Sequence, residues 1–269
     1  MPRPKRSQPD GHRHRRGQSD PGQPIPGSRP APSSAPRGRG SDSDDHPAEA
    51  TSAPRIIGGE LRHRRLEFNP DPRTRPMKER VRESLFNLLG FEVRGAIALD
   101  LFAGTGALGF EALSRGATAA WFVERHFPTA DTLRRSARTL DISDRCTIRS
   151  GDVLLWARRM PELPRSAPWV AFISPPWEMF ESQSEALLEL VAVLIREAPP
   201  GSTIVVEAEI GFDPALLPAG VDWEPRQIPP ALLIFGRLPR VVPPSSPAPD
   251  AIAGHSGHSE IGDDSGIVD

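Results

Sequence analysis

Residues 96–117 read AIALDLFAGTGALGFEALSRGA. The first seven form an apolar run broken by a single acid, Asp100. A short run with no polar alternation marks a strand covered on both faces. Gly104-Thr105-Gly106 close the run, a helix is expected to about Ser114, and Gly116 stops it. A strand, a glycine loop and a helix in that order begin an α/β sheet.

Toward the C-terminus the rhythm repeats. AAWFVE (119–124), a helix over 128–140, CTIRSGD (146–152) and a short helix over 153–160 come first. WVAFISPPW (169–177), a helix over 183–198 and STIVVEAE (202–209) follow. Apolar strands alternating with helices predict a mostly parallel sheet covered on both faces. ALLIFGRL (231–238) comes soon after a short strand at 221–224, which predicts a C-terminal antiparallel hairpin at the sheet end. Toward the N-terminus, RIIGGELRHRRLEF (55–68) predicts a small β-hairpin around Gly58-Gly59, with Leu66 and Phe68 alternating with polar neighbours. Residues 69–72 are a turn cluster, and a helix is expected from Thr74 with Pro76 in its first turn. Met77, Val81, Leu85 and Leu88 recur at helical spacing, and Gly90 is the expected cap.

Composition divides the chain. Residues 1–54 hold 11 Pro, 6 Gly and no aromatic residue, and 238–269 hold 5 Pro and no aromatic. Neither stretch has the apolar surface to offset its ordering entropy, so both are expected to be disordered tails. The foldable part is 55–237: a hairpin and helix over 55–90, then a core over 91–237. No stretch has the ~20 apolar residues of a membrane span, and the N-terminus has charge without an apolar core, unlike a secretory signal. One Cys, Cys146, fits a reducing compartment. A cytoplasmic monomer is expected. With only His63 and His126 outside the tails, no metal site is expected.

Charge separates along the chain too. Residues 55–82 carry 9 Lys/Arg against 4 acids, whereas 83–237 carry 14 against 20. A basic segment on an acidic body points to a polyanion at one end. Arg62, Arg64 and Arg65 after the glycine turn, with Arg73 and Arg75 before the helix, are the candidate phosphate contacts.

Ligands of open α/β sheets bind beyond the carboxyl ends of the strands. Four motifs fall at such ends. In DLFAGTG, Gly104 and Gly106 permit backbone conformations and close approach that a Cβ would block. With Gly109 they complete G-x-G-x-x-G, which also suits a dinucleotide. Asp100 tilts the choice, because a carboxylate there repels a pyrophosphate but pairs with an ammonium. Glu124, 20 residues after Gly104, can accept from both hydroxyls of a ribose. Asp152 ends the third strand, where it could face an adenine amino group or cap the next helix. Ser174-Pro175-Pro176-Trp177 follows WVAFI. Its prolines fix the loop and leave carbonyls free to hold an exocyclic amine. Trp177 offers a flat face to a flipped base.

RIIGG (55–59), TRPMKERVRESLFNLLG (74–90) and DLFAGTGALGFEALSRGA (100–117) together resemble the RsmD-like family of bacterial 16S rRNA guanine-N2 methyltransferases. The resemblance covers about 55–237. It implies a Rossmann-like class I S-adenosylmethionine-dependent fold and a basic N-terminal hairpin touching 16S rRNA or the small ribosomal subunit. It also implies methylation of a guanine N2. Carried over, Asp100, Gly104 and Gly106 would hold the methionine part, Glu124 the ribose and Asp152 the adenine. Residues 174–177, with Ser174, Pro175 and Trp177 as the catalytic candidates, would hold the target base.

One departure stands out: the family's usual D-P-P-Y is S-P-P-W here. Other amino-methyltransferases accept Ser at the first position and an aromatic at the last, so three alternatives stay open. These are an amino-methyltransferase acting on another RNA or on DNA adenine or cytosine, a catalytically weakened RNA-binding homologue, and a nicotinamide-dependent oxidoreductase. Asp100 and S-P-P-W speak against the last.

Overall fold

The computed structural model describes residues 53–69, 77–158 and 163–240. Seven strands form one sheet: β1 (Ile97–Asp100), β2 (Ala119–Glu124), β3 (Cys146–Ser150), β4 (Trp169–Ile173), β5 (Thr203–Glu209), β6 (Trp223–Ile228) and β7 (Ala231–Arg237). Their order is β3-β2-β1-β4-β5-β7-β6. The first five pair in parallel, while β7 runs antiparallel to both β5 and β6. The expected mostly parallel sheet with a closing antiparallel hairpin is therefore present. Its last strand lies between β5 and β6, not at the edge. Strand order reverses direction between β1 and β4, which opens a crevice at their carboxyl ends.

Two cores flank the sheet. On one face, α1 (Glu79–Leu89), α2 (Ala107–Ser114) and α3 (Phe127–Thr139) pack on Ala98, Phe122, Phe172 and Val205. On the other, α4 (Val153–Arg158), α5 (Met179–Ser182) and α6 (Ser184–Glu197) pack on Leu99, Ala171, Ile173 and Val206. The central strands are covered on both faces, which explains their unbroken apolar runs. The helix expected over 183–198 is preceded by the separate turn α5, with non-helical Gln183 (φ −139°, ψ 32°) between them.

The segment before the sheet forms the expected hairpin and helix, and is tied closely to the body. The hairpin over 55–68 closes on a single antiparallel bridge, Arg55 to Arg65. Within it Ile56 donates to the Arg64 carbonyl, His63 to that of Ile56 and Leu66 to that of Pro54, while Ile57 and Gly58 donate outward to Glu111 and Glu67 to Ser136 Oγ. Helix α1 turns Val81, Arg82, Leu85, Phe86 and Leu89 inward and leaves Leu88 39% exposed. The buried stripe thus follows i, i+4 steps from Val81 and excludes Leu88. Gly90, with φ of 53°, ends α1 as expected and donates to the Phe86 carbonyl. The expected helix start at Thr74, Pro76, most of the 69–72 turn and the end of the 153–160 helix lie outside the described residues. So do Arg73, Arg75 and nearly all of both tails. At the other end, Leu238 donates to the Ser202 carbonyl and Gly201 to the Pro239 carbonyl, so ties to the sheet continue past 237.

Candidate active site

Side chains two residues apart on a strand share a face. Asp100 continues the parity of Ala98, Glu124 that of Phe122, Ser174 that of Phe172, and Glu207 that of Val205. All four therefore end on the α1–α3 face at the carboxyl edge of the sheet, on both sides of the strand-order reversal.

Asp100 is 2% exposed, and its Oδ2 accepts the Gly109 N–H at 2.9 Å. Burial pushes this carboxyl up to about 7; the Gly109 bond opposes the rise and the nearby Glu124 charge adds to it. Glu124 is half-buried and bridges two loops. Its Oε2 accepts from Gly104 N–H at 2.8 Å, and its Oε1 from His126 N–H at 2.7 Å. Each oxygen keeps a second lone-pair direction, so this fixed carboxylate can still accept from a ligand hydroxyl.

The fold itself demands glycine at several points of this loop. Gly104 and Gly106 adopt φ of 50° and 76°, the left-handed region that side chains disfavour. A Cβ on Gly106 would lie 2.5 Å from Leu133 Cδ2 and 2.6 Å from Phe110 Cε2. A side chain added at this position would strike the core. Gly109 is equally tight, with a Cβ falling 2.3 Å from Phe122 Cε1. Asp152 Oδ1 accepts from Leu154 N–H at 2.8 Å, so of its two sequence readings the structure displays the helix cap. Its neighbour Gly151 donates to the Glu124 carbonyl, which ties this loop to the same edge.

Across the crevice, β4 and β5 pair with Ile173 level with Val206, which sets Ser174 level with Glu207. Ser174 Oγ donates to Glu207 Oε2. Burial pushes the Glu207 carboxyl up, and the Ser174 hydrogen bond opposes it. Pro175 is buried and Pro176 exposed; half-buried Trp177 packs partly on the α1–α3 core. A small cavity lined by Glu67, Phe68, Asn69, Thr105, Thr129 and Thr132 lies where the N-terminal segment meets the glycine loop.

Sequence reasoning missed Glu207 and Glu111. Each is an acid inside an otherwise apolar element, TIVVEAE and ALGFEALS, and that break in pattern was the available signal. Glu111 is fully buried. It accepts from Ile57 and Gly58 N–H at 2.7 and 2.8 Å and pairs with Arg115 at 2.7 Å and Arg82 at 3.8 Å. Desolvation draws the Arg82 guanidinium down, and Glu111 partly restores it. Of the candidate phosphate contacts, Arg62, Arg64 and Arg65 are exposed. Arg64 Nη2 already donates to the Thr139 carbonyl at 2.6 Å, whereas Arg62 and Arg65 have no side-chain partner among the described residues.

Comparison with known proteins agrees with this geometry. The profile of the family described as Conserved hypothetical protein 95 matches residues 54–214. The chain is 36% identical over 157 residues to ribosomal RNA small subunit methyltransferase D of Escherichia coli K12, spanning 58% of this chain and 75% of that one. The protein of the same name from Haemophilus influenzae is 36% identical over 161 residues, spanning 58% and 78%. The solved structure of yhhF from Escherichia coli superposes with a TM-score of 0.57 at 28% identity, covering 70% of this chain and 99% of that one. The sheet order with its inserted last strand is that of the Rossmann-like class I methyltransferases. The strand-edge acids, the glycine loop and these matches place the chain in the Conserved hypothetical protein 95 family, the RsmD-like methyltransferases.

Proposed function

We propose that this protein transfers a methyl group from S-adenosylmethionine to the exocyclic N2 of a guanine in 16S rRNA. One observation carries the reading. A glycine loop flanked by Asp100 and Glu124 faces, across the strand-order reversal, an S-P-P-W loop suited to an amine on a flat base. The relatives named for small-subunit rRNA methylation supply the substrate class.

The residues suit the cofactor. Asp100, largely desolvated, would regain its charge beside an ammonium. Glu124 is already oriented by two backbone N–H groups and can accept from ribose hydroxyls. Asp152 borders the place for an adenine. When bound, S-adenosylmethionine supplies an electrophilic sulfonium methyl.

The chain's own work is mostly placement. An exocyclic amine on a base is a poor nucleophile because its lone pair is delocalised into the ring. Ser174 Oγ and the Pro175 carbonyl would accept its two N–H groups and favour a pyramidal nitrogen. Trp177 would hold the ring by stacking. Holding the reactants in line accounts for most of the rate. Arg62 and Arg65, with Arg73 and Arg75 before the helix, would grip phosphates.

The test is incubation with methyl-labelled cofactor and 30S subunits, naked rRNA or DNA, followed by nucleoside mass spectrometry. Label in N2-methylguanosine from 30S or 16S rRNA is the expected result. Label only in DNA or in another RNA would move the assignment to a different amine, the reading that Ser at position 174 favours. Binding to RNA with no transfer to any of these would make the protein an RNA-binding homologue without chemistry.

A further inference from the structure

We infer that Glu207 is a positioning residue for methyl transfer, acting through Ser174 as the carboxylate of the amine-binding corner. The inference rests on the proposed amine methylation and deepens it.

A serine hydroxyl can donate or accept, and beside an amine that choice matters. If Ser174 turned its proton toward the target, the amine would have to accept with the lone pair it needs for attack. In the structure that proton is already committed: Ser174 Oγ donates to Glu207 Oε2. The remaining lone pairs of Oγ can then only accept, which is the role orientation of the amine demands. A hydroxyl that donates to a carboxylate is also polarised and is a stronger acceptor than a free one. The pair thus does through two side chains what an aspartate at position 174 would do through one.

The placement is built into the sheet. Parallel register sets Ser174 level with Glu207. On its other side, Glu207 pairs with Leu233 of β7, which fixes its backbone along that edge. Glu207 is half-buried, yet burial still pushes its carboxyl up, a desolvation cost that a purely structural position would avoid with an apolar residue. No cation pairs with it among the described residues; its side-chain partner there is Ser174.

The chemistry balances without another reactant. As the N–CH₃ bond forms, the S–CH₃ bond breaks and its electron pair stays on sulfur. The methylated amine then passes a proton to Ser174 Oγ while the Ser174 proton passes to the Glu207 carboxylate, and from there to solvent.

The experiment is a mutant cycle on the full-length protein, read by single-turnover methyl transfer to 30S subunits. Cofactor calorimetry and thermal melting run alongside. Glu207→Gln should lower the rate ~10-fold, a barrier change that a lost charge-assisted contact can supply, with cofactor affinity and melting unchanged. Ser174→Ala should lose a similar factor. The double variant should be no slower than the slower single, because both remove one device. Ser174→Asp in the Glu207→Gln background should return the rate to within a few-fold of wild type, a rescue that a merely structural Glu207 would not permit. A wild-type rate in Glu207→Gln, losses that multiply, or failure of the rescue each overturn the inference while methylation stands. Wild-type protein that labels no 30S, rRNA or DNA substrate overturns both.

Discussion

Asp100 closes the glycine loop from beneath, its Oδ2 accepting the Gly109 N–H across nine residues at 2.9 Å. The same burial makes its charge costly. Its carboxyl is pushed up to about 7 from an ordinary 3.8. Below 3.8 the folded and unfolded chains both hold the proton. Between 3.8 and 7 only the folded chain holds it, so this group's contribution to stability falls as pH rises through that window. Above 7 the full penalty applies. Asp100→Asn keeps an acceptor for Gly109 and removes the titration. The variant should be more stable than wild type at pH 8, by up to about 4 kcal/mol at 1.36 kcal/mol per pKa unit, and should bind S-adenosylmethionine less well. Denaturant melts at pH 5 and pH 8 check this, and parallel pH profiles for the two proteins would refute it.

Gly106→Ala should damage the fold before it damages cofactor binding. The position combines φ of 76° with contacts near 2.5 Å to core side chains. Overpacking alone costs about 1–3 kcal/mol, and the left-handed backbone adds to it. Thermal melting should register the loss without ligand. A stable variant with weakened cofactor affinity would mean that the loop relaxes away from Leu133 and Phe110.

Glu111→Ala should release the segment over 53–69. It removes the acceptor for Ile57 and Gly58 and strands Arg82 in the interior, a kind of loss that costs about 3–5 kcal/mol. Limited trypsin digestion should cut faster at Arg62, Arg64 and Arg65. Unchanged cleavage at those sites would show that Ser114, which accepts from the Glu60 and Leu61 N–H groups, and Ser136 suffice to hold the segment.

Arg62→Ala with Arg65→Ala should leave melting unchanged and weaken RNA binding. The salt slope should flatten by ~0.9 per lost duplex phosphate contact, or ~0.7 on single strands. Adding Arg64→Ala should also lower stability, because that guanidinium caps the end of α3 at the Thr139 carbonyl. A salt slope equal to wild type in the double variant would assign both arginines to ordinary solvated surface.

The sheet was legible because its signal is local: apolar runs bounded by glycines report burial on both faces. So was the edge that carries Asp100, Glu124 and Ser174, since strand ends follow from strand limits. What escaped depends on neighbours distant in sequence. Ser174 meets Glu207 only because β4 and β5 adopt one register, 33 residues apart. Glu111 meets Ile57 across 54 residues. The hairpin over 55–68 was legible from its glycine turn and alternating pattern, but its attachment to α2 through Glu111 was not, for the same reason. That a Cβ on Gly106 would meet Leu133 and Phe110 was not legible either, because spacing cannot tell which side of a loop a missing Cβ faces.

The insertion of β7 between β5 and β6 has a consequence for biogenesis. As the chain leaves the ribosome, β1 to β5 emerge first, and the glycine loop with them. Until residues 231–237 follow, β5 stands at an open edge. TIVVEAE then offers unpaired backbone to any passing strand, a template for aggregation. The late strand caps that edge and pairs Leu233 beside Glu207. The corner proposed for the amine is thus assembled last, and a nascent chain stalled before Ala231 would carry the glycine loop without β7 beside Glu207.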